Sequence, residues 1–197
     1  AVVGAGPAGL AASTIAAQRG HDVTLFDADK EIGGQFNMAK QIPGKEEFYE
    51  TIRYFNTQIA LHQVTVKLNT RVKAEDLQNE GFDEVILATG IQPRTPKMEG
   101  IGHPKVVNYI DVLKLKKPVG KRVAVIGAGG IGFDVSEYIA HEGESTSLNI
   151  DAWLKEWGID KTMTARSGIE GVQAVVHPSP REIFMFKRSK GKFGANL

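Results

Sequence analysis

Two six-residue segments with the pattern G-x-G-x-x-G most strongly constrain how this 197-residue chain can fold. They are residues 4–9 (GAGPAG) and 127–132 (GAGGIG), and each stands between a short apolar run and a segment of helical composition. In such a unit the first glycine permits a tight turn, the second lets the backbone approach a pyrophosphate, and the third allows close packing of the helix on the sheet. Because the free N–H groups at the start of a helix attract anions, the pattern predicts two nucleotide-binding turns.

The first motif has the full context that this kind of site requires. Residues 1–3 predict a strand, residues 8–19 a helix, and residues 22–27 (DVTLFD) a second strand. Asp27 ends that second strand 18 residues after Gly9, where the motif places an acid for the ribose hydroxyls. The alternative interpretation is a tight helix–sheet turn that binds nothing.

Further elements of the first half follow from periodicity. Gly33 and Gly34 form a double glycine at which the backbone can again approach a bound group. Residues 45–62 predict a helix with one apolar face, made by Phe48, Ile52, Phe55 and Ile59. Residues 64–68 alternate as a strand, and residues 83–88 predict a buried strand that ends at Thr89 and Gly90.

The second motif follows a predicted strand at residues 122–126. The strand expected after its helix comes late, at residues 183–186, because the long segment 142–180 lies before it. Within that segment, residues 151–157 predict a short helix. The residues after that strand are Lys187-Arg188-Ser189-Lys190, with no acid. A base at this position accommodates a 2′-phosphate, so the sequence predicts NADP(H) rather than NAD(H). The alternative is a solvated basic strand end.

A basic, proline-containing stretch at residues 113–121 predicts a domain boundary. We therefore expect an α/β protein with two Rossmann-like domains, residues 1–115 and 116–197, each built on a mostly parallel sheet in three layers. The chain has no initial Met and only three residues before Gly4, which is short for a buried strand and predicts a fragment of a longer chain. N-terminal processing is the alternative.

Composition excludes several other classes of protein. The chain contains no Cys, so it holds no disulfide scaffold, thiolate zinc site or Cys-ligated iron–sulfur cluster. The net charge of +1 favours neither nucleic acid nor a membrane surface, and we expect a cytoplasmic protein without a leader or membrane span. The five His residues are scattered, so no metal site and no catalytic residue is predicted.

Longer stretches of the chain match one family closely. They are VVGAGPAGLAA, VTLFDAD, EIGGQFN, AKQIPGKEEFYET, VILATGIQPRTP, VAVIGAGGIGFDVSEYI, GESTSLNI…EWGID and SPREI. Over essentially its whole length the chain resembles the bacterial 2,4-dienoyl-CoA reductases of the NADH:flavin oxidoreductase family. The resemblance implies a long flavoprotein in which a barrel domain binds FMN and the dienoyl-CoA substrate and a Cys-ligated [4Fe–4S] cluster follows. Both would lie outside this chain, which would hold the FAD segment, without its C-terminal return, and most of the NADP segment.

The resemblance also implies site residues. The residues expected at FAD, which include the loop glycines and Gly34, are Gly4, Gly6, Pro7, Ala8, Gly9, Asp27, Gly34, Gln35, Lys45, Val72, Thr89 and Gly90. Those expected at NADP(H) are Gly127, Gly129, Gly130, Ile131, Gly132, Arg188 and Ser189. Lys45 would bring positive charge near the flavin nucleotide, Val72 would contact adenine through its backbone, and Arg188 and Ser189 would bind the 2′-phosphate.

Three functions stay open at this point. In the main one, NADPH gives a hydride to FAD, and electrons pass through the cluster and FMN to reduce a dienoyl-CoA. A second is a segment similar to trimethylamine dehydrogenase, in which the first site holds ADP in a structural role. A third is a stand-alone NADPH-dependent flavin reductase or diaphorase.

Overall fold

Four parallel strands form the sheet of the first half of the chain in a computed structural model, which describes residues 1–194. The strands are β1 (Val2–Val3), β2 (Thr24–Phe26), β3 (Thr65–Lys67) and β4 (Ile86–Leu87). Their order is β3-β2-β1-β4, and Val2 of the central strand is in register with Leu25 on one side and Ile86 on the other. The parallel α/β fold class expected from the sequence is therefore confirmed.

Four helices accompany this sheet. They are α1 (Pro7–Gln18), α2 (Phe36–Ala39), α3 (Phe48–Leu61) and α4 (Ala74–Asn79). Helix α1 begins with Pro7 at its first position, where the missing N–H removes no intrahelical bond. The apolar face predicted for α3 exists, because Ile52, Phe55 and Ile59 pack against the core residues of β1, β2 and α1.

The core of this half is small and apolar. Its main cluster of buried residues is Val2, Ala5, Leu10, Val23, Leu25, Ile32 and Val64. The prediction of a buried strand over residues 83–88 is right about a strand, which covers Ile86–Leu87, and wrong about its burial. Ile86 is 43% and Leu87 is 74% exposed, because the described residues do not cover the faces of β4.

The second half contains a two-stranded parallel sheet. Its elements are α5 (Tyr109–Leu113), β5 (Arg122–Ile126), α6 (Gly130–Ala140), α7 (Ile150–Trp157) and β6 (Glu182–Phe186), with 3₁₀ turns at Thr146–Leu148 and Arg166–Gly168. Strands β5 and β6 pair over their full length, from Arg122 opposite Glu182 to Ile126 opposite Phe186. The connection between them is α6 and the long segment 142–180. The Arg181 guanidinium donates to the Ile139 carbonyl oxygen at 2.9 Å, so the two ends of that segment meet.

Packing divides the chain into two compact units. The first comprises Ala1–Lys40 and Glu47–Val106, and the second comprises Gln41–Glu46 and the described residues 107–194. The six residues 41–46 thus belong by packing to the second unit, although they lie within the first half of the sequence. Packing does not test where an independently folding domain ends, so the boundary at residues 115/116 stays a prediction.

Candidate dinucleotide-binding sites

The first glycine loop is built by hydrogen bonds to the strand beside it. The Gly4 N–H donates to the Phe26 carbonyl oxygen at 2.7 Å, and Gly4 has a φ of +108°, which favours glycine. A Cβ on Gly9 would overlap the Gly4 carbonyl oxygen, so only glycine lets α1 start this close to the strand. A Cβ on Gly6 would meet only the Gly34 Cα, at 3.9 Å. Gly6 therefore faces open space, as an approaching phosphate requires.

Asp27 contacts this loop directly. Its Oδ2 accepts a hydrogen bond from the Ala5 N–H at 2.6 Å, and its Oδ1 accepts one from the Asp29 N–H at 2.7 Å. The side chain is half-buried at the end of β2. The Thr70 N–H donates to the Asp27 carbonyl oxygen at 2.8 Å, which brings the chain segment leading to Val72 beside the acid.

The double glycine lies against the same loop. The Gly33 N–H donates to the Ala5 carbonyl oxygen at 2.8 Å, and a Cβ on Gly34 would lie 2.9 Å from the Gly6 Cα. On the other side, a Cβ on Gly4 would lie 3.1 Å from the Thr89 backbone nitrogen. The structure thus brings together the predicted loop, acid, double glycine and the Thr89 backbone. Gln35 is exposed immediately after the double glycine.

The second loop repeats the strand hydrogen bond and the close glycine contact of the first loop. The Gly127 N–H donates to the Phe186 carbonyl oxygen at 2.8 Å, and the φ of Gly127 is +123°. A Cβ on Gly132 would overlap the Gly127 carbonyl oxygen, as one on Gly9 would overlap Gly4. A Cβ on Gly129 would have no neighbour within 4 Å among the residues that the structure describes. Both loops therefore stand at the start of a helix, and in each the described residues leave open space on the Cβ side of the second glycine.

The two sites differ in the charge of the residue that directly follows the neighbouring strand. Phe26 and Phe186 accept equivalent hydrogen bonds, so Lys187 stands where the first site has Asp27. The Lys187 Nζ donates to the Lys192 carbonyl oxygen at 2.6 Å. Arg188 is exposed, and its guanidinium has no ion-pair partner within residues 1–194. The first site is therefore acidic and the second basic at the position next to the nucleotide ribose in this fold.

Lys45, expected at FAD, has an ion-pair partner in this structure, and its contact with FAD stays a prediction. It packs with the second unit, and its Nζ forms an ion pair with the Asp134 Oδ1 at 2.6 Å. The sequence analysis did not foresee this contact. The sequence does contain a turn signal before Lys45, the dipeptide Pro43-Gly44, but it does not identify the partner.

Residues 1–194 contain neither a cluster of metal-ligating side chains nor a membrane-spanning helix. No group of three or more His, Asp or Glu side chains there could hold a metal ion. None of the helices described is both long and apolar enough to cross a bilayer.

The two loops fit the cofactors that the motifs imply. Each has a helix start, where the first N–H groups lack partners within the helix, a glycine that leaves room for a phosphate, and a charged side chain at the end of the next strand. Such a pair of parallel α/β sites defines a protein that binds two dinucleotides.

The chain belongs to the pyridine nucleotide-disulphide oxidoreductase family, whose model matches residues 1–183. It is 34% identical over 165 residues to the bilirubin reductase of Mediterraneibacter gnavus (strain CC55_001C), covering 84% of this chain and 25% of that protein. Among solved structures it is similar to a complex of 2-naphthoyl-CoA reductase with 2-naphthoyl-CoA, with a TM-score of 0.68 and 29% identity, covering 93% of this chain and 32% of that one. It is also similar to histamine dehydrogenase from Rhizobium sp. 4-9, with a TM-score of 0.60 and 29% identity, covering 71% of this chain and 24% of that one.

These comparisons show an oxidoreductase domain that binds FAD and a pyridine nucleotide, as expected from the sequence. The chain spans about a quarter to a third of the length of these three proteins. The comparisons are consistent with the resemblance to dienoyl-CoA reductases, but they are not specific to it. The chain matches both a reductase and an amine dehydrogenase.

Proposed function

We propose that this chain is the FAD- and NADP(H)-binding part of a flavoprotein reductase that takes its electrons from NADPH. The observation that carries the proposal is the repeated loop with opposite charges beside it, Asp27 at the first and Lys187 with Arg188 at the second. An acid beside a ribose accepts from free hydroxyls and repels a 2′-phosphate, whereas a base attracts one. The two sites would therefore hold different dinucleotides.

At the first site, the N–H groups at the start of α1 would bind the FAD pyrophosphate, and Asp27 would accept hydrogen bonds from the adenosine ribose. Asp27 already accepts one bond at each oxygen, but a carboxylate has about four acceptor positions, so two remain for hydroxyl groups. We further propose that Gln35 and the backbone of Val72, Thr89 and Gly90 contact the same cofactor.

At the second site, the loop from Gly127 to Gly132 would bind the NADP(H) pyrophosphate. The Arg188 guanidinium would donate to the 2′-phosphate, and the neighbouring Ser189 hydroxyl would add a hydrogen bond. The exposed and unpaired Arg188 supports this assignment, because no ion pair within the described residues has to break when a phosphate binds.

When bound, the two cofactors supply the redox chemistry, since a reduced nicotinamide can give a hydride to a flavin. This chain would bind and orient them, and no residue of it is assigned an acid–base role. For the longer protein we propose an activity similar to that of the 2,4-dienoyl-CoA reductases, with FMN, a [4Fe–4S] cluster and the dienoyl-CoA site outside this chain. The similarity to a reductase solved with an acyl-CoA thioester supports that substrate class.

A direct test uses the full natural protein. We expect it to oxidise NADPH when a 2,4-dienoyl-CoA is added and to prefer NADPH over NADH. Reduction of the thioester with NADH but not with NADPH would contradict the role of the basic site. Absence of turnover, together with reduction of the protein by an alkylamine, would contradict the substrate class.

The second candidate is the amine dehydrogenase type, in which the first site holds ADP. The similarity to histamine dehydrogenase favours it. Lys187 and Arg188 count against it, because a structural nucleotide domain needs no 2′-phosphate site next to the second loop. Simultaneous binding of one FAD and one NADP⁺, measured by calorimetric titration of this chain, would favour our proposal over this alternative.

A further inference from the structure

A short basic segment follows the last strand of the second unit. Residues 187–193 (KRSKGKF), which we call the basic loop, carry four cationic side chains, at positions 187, 188, 190 and 192. The backbone bends at Gly191, whose φ of +106° favours glycine. Among residues 1–194, no main-chain hydrogen bond involves residues 188–191. The shape of the basic loop therefore depends on contacts made by side chains.

Lys187 makes two such contacts with the far end of the basic loop. Its Nζ donates to the Lys192 carbonyl oxygen at 2.6 Å and lies over the Phe193 ring, 5.1 Å from the ring centroid. Both groups stabilise a cation, because the carbonyl oxygen carries partial negative charge and the face of an aromatic ring is also negative. Since Lys187 directly follows β6, these contacts tie the end of that strand to residues 192–193.

The side chains proposed to bind the 2′-phosphate lie between the two ends of this tie. Arg188 and Ser189 are both exposed, and the Arg188 guanidinium has no ion-pair partner within the part of the chain that the structure describes. A loop that is already closed has less backbone freedom to lose when a ligand binds, and this raises affinity without any new contact to the ligand. The Lys187 contacts would therefore strengthen binding at Arg188.

We propose that Lys187 is a positioning residue of the 2′-phosphate site, which holds the basic loop closed through the Lys192 carbonyl and the Phe193 ring while Arg188 contacts the phosphate. The inference rests on the proposed binding of NADP(H) at the second site. It also gives a role to Phe193, an aromatic residue outside the glycine-loop motif. Because NADH lacks the 2′-phosphate, Lys187 and Phe193 would affect the binding of NADPH and leave that of NADH unchanged.

The test is a double-mutant cycle on the 197-residue chain, read as the Kd values for NADPH and NADH from calorimetric titration. We expect Phe193→Leu to raise the Kd for NADPH about two- to fivefold, the size of one exposed cation–π contact. Lys187→Met, which also removes the bond to the carbonyl, should raise it about tenfold. The double variant should lose no more affinity than Lys187→Met alone, because the ring then has no cation to hold.

Three further variants serve as controls. Phe193→Tyr keeps an aromatic ring and Lys187→Arg keeps a cationic donor, so both should bind NADPH with nearly wild-type affinity. Lys97→Met removes an exposed lysine elsewhere in the chain and should leave the Kd values for both nucleotides unchanged. In every variant the Kd for NADH should change by less than about twofold, which separates an effect on the basic loop from a general loss of structure.

Several results would overturn the inference. If Lys187→Met weakens NADPH binding and Phe193→Leu does not, Lys187 contacts the phosphate directly. If the two losses multiply in the double variant, the residues act independently of each other. Equal losses for NADPH and NADH would show that the substitutions damage the second unit as a whole. If the unmutated chain binds NADPH no more tightly than NADH, the proposed 2′-phosphate site itself fails, and that outcome is visible before any variant is made.

Discussion

The second and third glycines of the first G-x-G-x-x-G motif, Gly6 and Gly9, meet different physical requirements, and substitution by alanine separates them. At Gly9 a methyl group would overlap the Gly4 carbonyl oxygen, which is backbone and cannot rotate away. At Gly6 the nearest atom to the added methyl would be the Gly34 Cα at 3.9 Å, and the φ of −77° is one that alanine adopts freely. We therefore expect Gly9→Ala to damage the fold and Gly6→Ala to damage only cofactor binding.

The magnitudes follow from these contacts. Overpacking against a fixed neighbour costs about 1–3 kcal/mol or more, so Gly9→Ala should lower the free energy of unfolding by about 3 kcal/mol. For Gly6→Ala, the unfolded chain loses entropy, which stabilises by about 0.4–1 kcal/mol. The loss of glycine at the N-cap offsets a similar amount, so the net change should stay within about 1 kcal/mol. The same methyl occupies the space that a pyrophosphate needs, and FAD affinity should fall by about tenfold or more.

The assay is urea unfolding of the cofactor-free chain, followed by far-ultraviolet circular dichroism, alongside FAD titration of each variant. Gly102→Ala, at a glycine with open space around it and no positive φ, is the matched control for both measurements. The reasoning would be refuted if Gly6→Ala destabilised the chain as much as Gly9→Ala does. It would equally be refuted if Gly6→Ala bound FAD with unchanged affinity.

Three further predictions concern charged side chains. Arg188→Ala should raise the Kd for NADPH at least tenfold and barely change that for NADH, and equal losses would contradict its 2′-phosphate role. Asp27→Ala should lower the FAD content of the purified chain, and unchanged FAD affinity would remove Asp27 from the site. Hydrogen bonds led by that from the Thr162 hydroxyl hold the pKa of Asp160 well below its ordinary value. Any stability from this carboxylate is therefore present at neutral pH and lost only in acid below the ordinary pKa. An NMR titration midpoint near that ordinary value would contradict the hydrogen-bonded loop.

Local pattern was sufficient to predict the nucleotide loops. The motif glycines, Asp27 and the strand before Lys187 are set by short-range backbone geometry, and the hydrogen bonds of Gly4 and Gly127 confirm the strand–turn–helix arrangement at both loops. The second strand is shorter than predicted, since β2 covers Thr24–Phe26 rather than residues 22–27. Strand ends depend on pairing with neighbours, which composition does not specify.

Features that depend on distant parts of the chain escaped sequence reasoning. The strand at residues 83–88 has an apolar composition, but its burial depends on what packs on its two faces, which the local pattern does not specify. Lys45 is a single lysine with no local pattern around it that predicts a partner. Its ion pair is with Asp134, 89 residues away in the sequence, and it follows the Pro43-Gly44 turn. A turn dipeptide indicates that the chain reverses direction, but it does not indicate what the next side chain meets.

The identity of the nucleotides that the purified chain carries and accepts tests the central claim most directly. Cofactor should be released by denaturation and identified by chromatography, and the chain should then be titrated with NADP⁺. Our account predicts that FAD is released, or bound on reconstitution, and that one NADP⁺ binds in addition to it. Release of ADP with no flavin, from a chain that then binds neither FAD nor NADP⁺, would contradict it.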